Sequence, residues 1–78
     1  MEIYEVIREA RIKRGIEQPQ VARVLGVSVN FVSLMERGES KIPLDKLWML
    51  MKYYGLKKDA VVKIMVKTYR DFLNQELA

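Results

Sequence analysis

The chain has no cysteine and no histidine. Disulfides, thiol nucleophiles, imidazole bases and Cys/His metal sites are therefore excluded, and no metal or other cofactor is expected. Catalysis would have to rest on carboxylates, lysines, tyrosines or serines, and none of these sits in a G-x-S-x-G or phosphate-loop string. An enzyme is not expected. No apolar run approaches the roughly 20 residues of a membrane span. The opening "MEIYEVIREA" is charged and amphipathic, unlike a signal peptide, so the expected location is the cytoplasm. Low-complexity segments and internal repeats are also missing. There is no lysine run and no basic tail, although Lys and Arg number 14 against 10 Asp and Glu, for a net charge of +4. Residues 1–16 net +1, 17–42 net 0, 43–56 net +1 and 57–78 net +2, so the charge is spread along the chain. A pI of about 9.5 leans toward an anionic partner, but many small soluble domains carry as much.

What the 78 residues do have is helical periodicity from end to end, punctuated by few breakers. Ile3, Val6, Ile7 and Ala10 recur at helical spacing, and Gly15 stands behind the cationic Lys13–Arg14, which predicts a helix over about 2–14. Pro19 suits a first helical turn. Val21, Ala22 and Leu25 give the next apolar face up to Gly26, so a second helix spans about 18–25. Ser28 is the candidate N-cap of a third, about 29–36, followed by Gly38. Pro43 disfavours a helical Ile42. A fourth helix over about 44–54 places Leu47, Leu50, Met51 and Tyr54 on one side, and Gly55 ends it. The last, about 58–77, is long and amphipathic. Strand alternation is nowhere convincing. The expectation is a single all-α domain of five helices covering 1–78.

Helices two and three are each about two turns long and are joined by "GVS", too short for an antiparallel hairpin. Two short helices about a tight glycine turn form the helix-turn-helix pattern, here at about 18–36. The string "QPQVARVLGVSVNFVSLMERGE" resembles the phage-repressor/Cro-like, or Xre-type, family. It carries that family's Gln18, Ala22, Leu25-Gly26-Val27-Ser28, Val32 and Glu36-Arg37-Gly38, and the likeness extends back to Arg11 and forward through Pro43, Leu47 and Gly55. The implied fold is a lambda-repressor-like helical domain with an extended C-terminal helix. Family members usually cap the second helix with Ser or Thr at position 17. This chain has Glu17, which moves the expected cap to Gln18 with Pro19 behind it.

The resemblance also implies roles. One face of the third helix, with Val32, Met35 and part of Phe31, packs on the other helices. Val29, Asn30, Ser33 and Leu34 are the expected base-contacting residues. Asn30 can make a bidentate contact to adenine, Ser33 can bond to several bases, and Val29 and Leu34 can meet thymine methyls. The competing reading sends Val29 and Leu34 to another protein chain. Phosphate contacts are expected from Gln18, from Ser28 or Asn30 at the start of the third helix, and from Arg37, Ser40 and Lys41 after it. For Arg37 and Lys41 the alternative is ordinary solvated charge. Arg11 and Glu36 are expected to form a structural ion pair. Trp48 is expected against the last helix, with a dimer contact as the alternative. Tyr53 and Tyr54 read as packing residues rather than an RNA-stacking platform.

In the last helix, Val61, Val62, Met65, Val66, Tyr69, Phe72, Leu73 and Leu77 span about 160° of the wheel, whereas one core needs only about 100°. Ile64 falls outside the stripe. The excess points to a homodimer made through Met65, Tyr69, Phe72, Leu73 and Leu77, with a monomer of greasy surface as the alternative. Two-fold symmetry suits a palindromic site. The expected protein is a DNA-binding transcriptional regulator acting on double-stranded DNA at an inverted repeat. Repression is favoured because so short a chain has no room for an effector domain. The rival is an antitoxin or adaptor that uses the same fold to bind a protein such as a toxin.

Overall fold

The computed structural model describes the backbone of residues 1–77 and the side chains of all of these except 68, 69, 71–73, 76 and 77. Five helices follow one another: α1 Ile3–Lys13, α2 Gln18–Leu25, α3 Val29–Glu36, α4 Leu44–Tyr54 and α5 Lys58–Leu77. There is no strand among the described residues. The fold is all-α, as the periodicity predicts.

Local chemistry sets the boundaries. At α1, the Glu2 N–H donates to Glu5 Oε1 at 3.0 Å in a reciprocal capping box. The start of α2 repeats this device. Glu17 is the N-cap, and its N–H donates to Gln20 Oε1 at 2.9 Å. The cap therefore does not pass to Gln18, as the sequence reading expected. A side-chain acceptor three residues on lets a glutamate hold the position that Ser or Thr usually takes. Gly26 ends α2 in the left-handed region, at φ 68° and ψ 36°, a conformation that costs a residue with a Cβ roughly 1–2 kcal/mol. Two residues later Ser28 caps α3, its Oγ accepting from the Phe31 N–H at 3.0 Å. This glycine followed so closely by a cap is what makes the chain turn sharply between α2 and α3.

The helices meet in one apolar cluster. Ile7 and Ala10 come from α1, Val21, Ala22 and Leu25 from α2, Val32 and Met35 from α3, Leu47, Leu50 and Tyr54 from α4, and Val61 from α5. In α1 to α4 the set includes residues three or four apart, which places it on one side of its helix. A fully buried side chain of the size of Leu25 or Leu50 contributes roughly 1.5–3 kcal/mol by leaving water.

Two side chains depart from expectation. Trp48 is 58 % exposed, and Lys52 Nζ lies 5.9 Å from its ring centroid. The core of its own chain therefore does not enclose it. Position 48 falls about 100° around α4 from Leu47, off the arc that Leu47, Leu50 and Tyr54 share. In α5 the covered side is Val61, fully buried, with Ile64 and Met65 half-buried beside it. Ile64 is thus partly covered although it falls outside the stripe, and Val62 and Val66, both 49 % exposed, form an open row.

Candidate nucleic-acid interface

The helix-turn-helix is held by a polar network rather than by apolar packing alone. Arg11 in α1 grips the Glu36 carboxylate at the end of α3 with two nitrogens: Nε lies 2.8 Å from Oε2 and Nη2 lies 2.9 Å from Oε1. Its Nη1 donates to the Ile16 carbonyl at 2.9 Å. The same Glu36 Oε1 accepts from Gln18 Nε2 at 3.1 Å. One carboxylate therefore joins the end of α1, the start of α2 and the end of α3. Its side chain is 3 % exposed, so its charge is tenable only because these donors surround it. Hydrogen bonding to Glu36, with the carboxylate's charge, raises the Arg11 pKa against the desolvation that opposes it. Tyr54 lies within the field of this pair. Burial first, and then the Glu36 charge, push its phenol up to about 12. The Tyr54 hydroxyl is fully enclosed with no hydrogen-bond partner, and Arg14 Cζ stands 5.7 Å from its ring centroid.

Upon this frame α3 presents its outer face. Val32, Met35 and Glu36 point inward, and Phe31 is half-buried. Val29 is 42 % exposed and Asn30 is exposed, while Ser33 and Leu34 are half-buried on the same helix. The first turn of α3 is thus the open part of this surface, and its second turn is partly covered.

Beyond α3 the chain turns through Gly38 at φ 74°. The Gly38 N–H donates to the Met35 carbonyl at 3.2 Å and the Glu39 N–H to the Leu34 carbonyl at 3.0 Å, which satisfies helix-end carbonyls in the manner of a Schellman turn. The loop that follows carries Ser40, half-buried, and Lys41, exposed. Lys41 has no ion-pair partner among the described residues. Arg37 is bonded to Glu39, Nη2 to Oε2 at 2.9 Å, with both side chains more than half exposed. Such a solvated pair contributes at most about 1 kcal/mol, so a stronger anion can displace the glutamate.

A helix-turn-helix family model matches residues 7–61. The chain belongs to the Xre/Cro-like helix-turn-helix family. No curated protein and no solved structure matches it. Family membership makes the protein a DNA-binding transcription regulator in general terms. The match stops at Val61, a buried core residue near the start of α5. No helix among the described residues is long and apolar enough to cross a membrane.

Within this helix-turn-helix the sequence-predicted residues fall into three groups. Val29, Asn30, Ser33 and Leu34 come together on α3, with Ser28 at its N-terminus and Arg37, Ser40 and Lys41 beyond its end. Gln18 lies at the start of α2, half-buried, with one amide hydrogen committed to Glu36. Met65 is half-buried against its own core. Tyr69, Phe72, Leu73 and Leu77 lie outside the described side chains. Sequence reasoning missed the bond from Gln18 to Glu36, which needs α2's first residue beside α3's last. It also left Val62 and Val66, which it placed in the apolar stripe, out of the expected dimer contacts. The four-residue spacing of two valines on one helix was the available signal.

Proposed function

We propose that the protein is a homodimeric repressor that reads a palindromic operator through α3 in the major groove, acting in the cytoplasm as one helix-turn-helix domain. The observation that carries the reading is the division of α3: Val32, Met35 and Glu36 locked into the frame, Val29 and Asn30 open to solvent at the helix's first turn. Asn30 is the bidentate reader, matched to adenine N6 and N7. Ser33 adds a donor and acceptor, and Val29 and Leu34 supply apolar contact to thymine methyls. Ser28, Arg37, Ser40 and Lys41 grip phosphates on either side, and Gln18 offers its second amide hydrogen. These contacts fix register without reading sequence.

Support for a dimer comes from α5. The Val62–Val66 row is left uncovered by the chain's own core, and an apolar row repeating on a helix is what a symmetric partner buries. Repression follows from occupancy of a promoter, which requires no contact beyond those to DNA. A second reading, an antitoxin or adaptor that binds a protein such as a toxin, rests on the apolar character of the outer face, where Val29 stands 42 % exposed.

Selection of bound sequences from a random duplex pool tests the proposal. The expected product is an inverted repeat with half-sites about one helical turn apart, bound by two copies of the chain. Recovery of no enriched sequence contradicts it, and a tight complex with a neighbouring gene's product in that case favours the second reading.

A further inference from the structure

The turn after α3 is not open to solvent on all sides. The Tyr4 ring, carried by α1, lies directly against Gly38. A Cβ placed on that glycine would stand 2.7 Å from Tyr4 Cε1 and 2.9 Å from both Cδ1 and Cζ. No side chain fits there, so the glycine answers two demands at once, a left-handed backbone and room for an aromatic ring. Because Cζ bears the hydroxyl, the Tyr4 oxygen stands at this turn, beside the segment that leads to Ser40 and Lys41.

That oxygen has no hydrogen-bond partner among the described residues, and Tyr4 is half-buried. Half-burial of a phenol with an apolar body and a free polar tip is the arrangement of a side chain whose tip meets a polar partner. The ring is fixed by its contact with Gly38, so the hydroxyl is ordered before any ligand arrives, and little rotamer freedom is lost on binding.

We propose that the Tyr4 hydroxyl is a further DNA-backbone contact, donating to a phosphate oxygen from α1 beside the Ser40–Lys41 loop. The inference rests on the reading of this loop as a phosphate-binding segment. It adds a neutral donor from α1 to a set carried by α2, by the start of α3 and by the loop after α3. A neutral donor to an anionic oxygen strengthens binding without releasing counterions. Its signature therefore differs from that of a lysine.

The test uses the full chain and its operator, with random DNA as competitor. Tyr4→Phe keeps the ring on Gly38 and removes only the hydroxyl, so the melting curve stays that of the wild type. Operator and random DNA should both bind about tenfold more weakly, the low end for a hydrogen bond to a charged acceptor, and the slope of log K against log salt should not change. Lys41→Ala should instead lower that slope by about one unit. Duplexes with single methylphosphonates supply a second readout: at one phosphate, neutralisation should weaken the wild type and leave Tyr4→Phe unaffected. Wild-type affinity in Tyr4→Phe, or the lack of any such phosphate, overturns the assignment of Tyr4 alone. If Lys41→Ala also binds like the wild type at every salt concentration, the loop does not meet DNA, and both readings fall.

Discussion

Helices α3 and α5 both expose apolar side chains, and they are held in different ways. α3 is short and fixed at both ends. Ser28 caps its start, Glu36 ties its last turn to Arg11 and Gln18, and the Gly38 turn closes its carbonyls. α5 is 20 residues long, about 30 Å at the usual rise, and among its described side chains Val61 and Met65, near its start, pack on the core. An apolar face on a rigid, multiply anchored helix suits a surface that must present side chains at fixed positions to a ligand. An apolar row such as Val62 and Val66, left half exposed beside the core residue Val61, suits a surface completed by a second copy. Exposure alone does not distinguish the two; the anchoring does.

The most severe way to break this contrast is to remove the anchor of α3. Glu36→Ala leaves the part-buried Arg11 guanidinium with the Ile16 carbonyl as its remaining acceptor, and should cost about 3–5 kcal/mol in denaturant melts. That is on the order of half the stability of a domain this size. The double variant Arg11→Ala/Glu36→Ala should lose less than the sum of its parts; strict additivity would mean the two groups are not coupled.

On α5 the corresponding change is Val66→Lys. It leaves the fold intact, because the side chain is half exposed in the single chain. It places an unpaired charge in the proposed dimer. The dimer dissociation constant should rise about a hundredfold, about 3 kcal/mol, and sedimentation at tens of micromolar should move from dimer to monomer while helicity stays constant. A wild type that is already monomeric there removes the contrast altogether.

Beneath α3, Tyr54 gives a pH-dependent handle on the same frame. Its phenol is held near 12 in the folded chain and titrates near 10 when unfolded. Stability is complete below about pH 10 and falls as pH rises toward about 12, because the unfolded chain releases the proton first. The loss should be about 2 kcal/mol. Tyr54→Phe should abolish that component of the alkaline decline and cost little at neutral pH, since the buried hydroxyl has no partner to lose. Parallel stability curves for the two proteins between pH 9 and 12, as unit-wise titration steps, would show that the phenol is not held by burial.

Much of this was legible beforehand for physical reasons. Gly26, Gly55 and Pro43 interrupt a steady helical period, so every helix boundary could be read to within a residue. The inward positions of α3 followed from the same period. What was hidden depended on how helices approach one another. The width of the α5 stripe was visible, but the part of it that faces the core was not. Val61 lies at its edge rather than its middle, so Ile64 is half-buried while Val62 and Val66 are left open. The expected packing of Trp48 against the last helix is not matched by burial, since its wheel position lies away from Leu47, Leu50 and Tyr54 and it is 58 % exposed. Glu17 was passed over as a cap because its own propensity is weak, and its partner Gln20 was not considered with it. The tertiary bond from Gln18 to Glu36 and the seat of Tyr4 on Gly38 join residues 18 and 34 positions apart, beyond the reach of local pattern.

Whether the open first turn of α3 reads base pairs is tested most directly by Asn30→Ala. Asn30 is exposed and lies opposite the buried Val32–Met35 face, so its removal should leave the melting curve unchanged. Binding to the selected operator should weaken by about 1–3 kcal/mol, with binding to random DNA unaffected and preference relaxed at one A·T pair. The quantity to measure is the ratio of operator to random affinity at fixed salt. This ratio should fall by about tenfold or more; a ratio equal to that of the wild type would mean that Asn30 does not read a base, and that the outer face of α3 serves another partner.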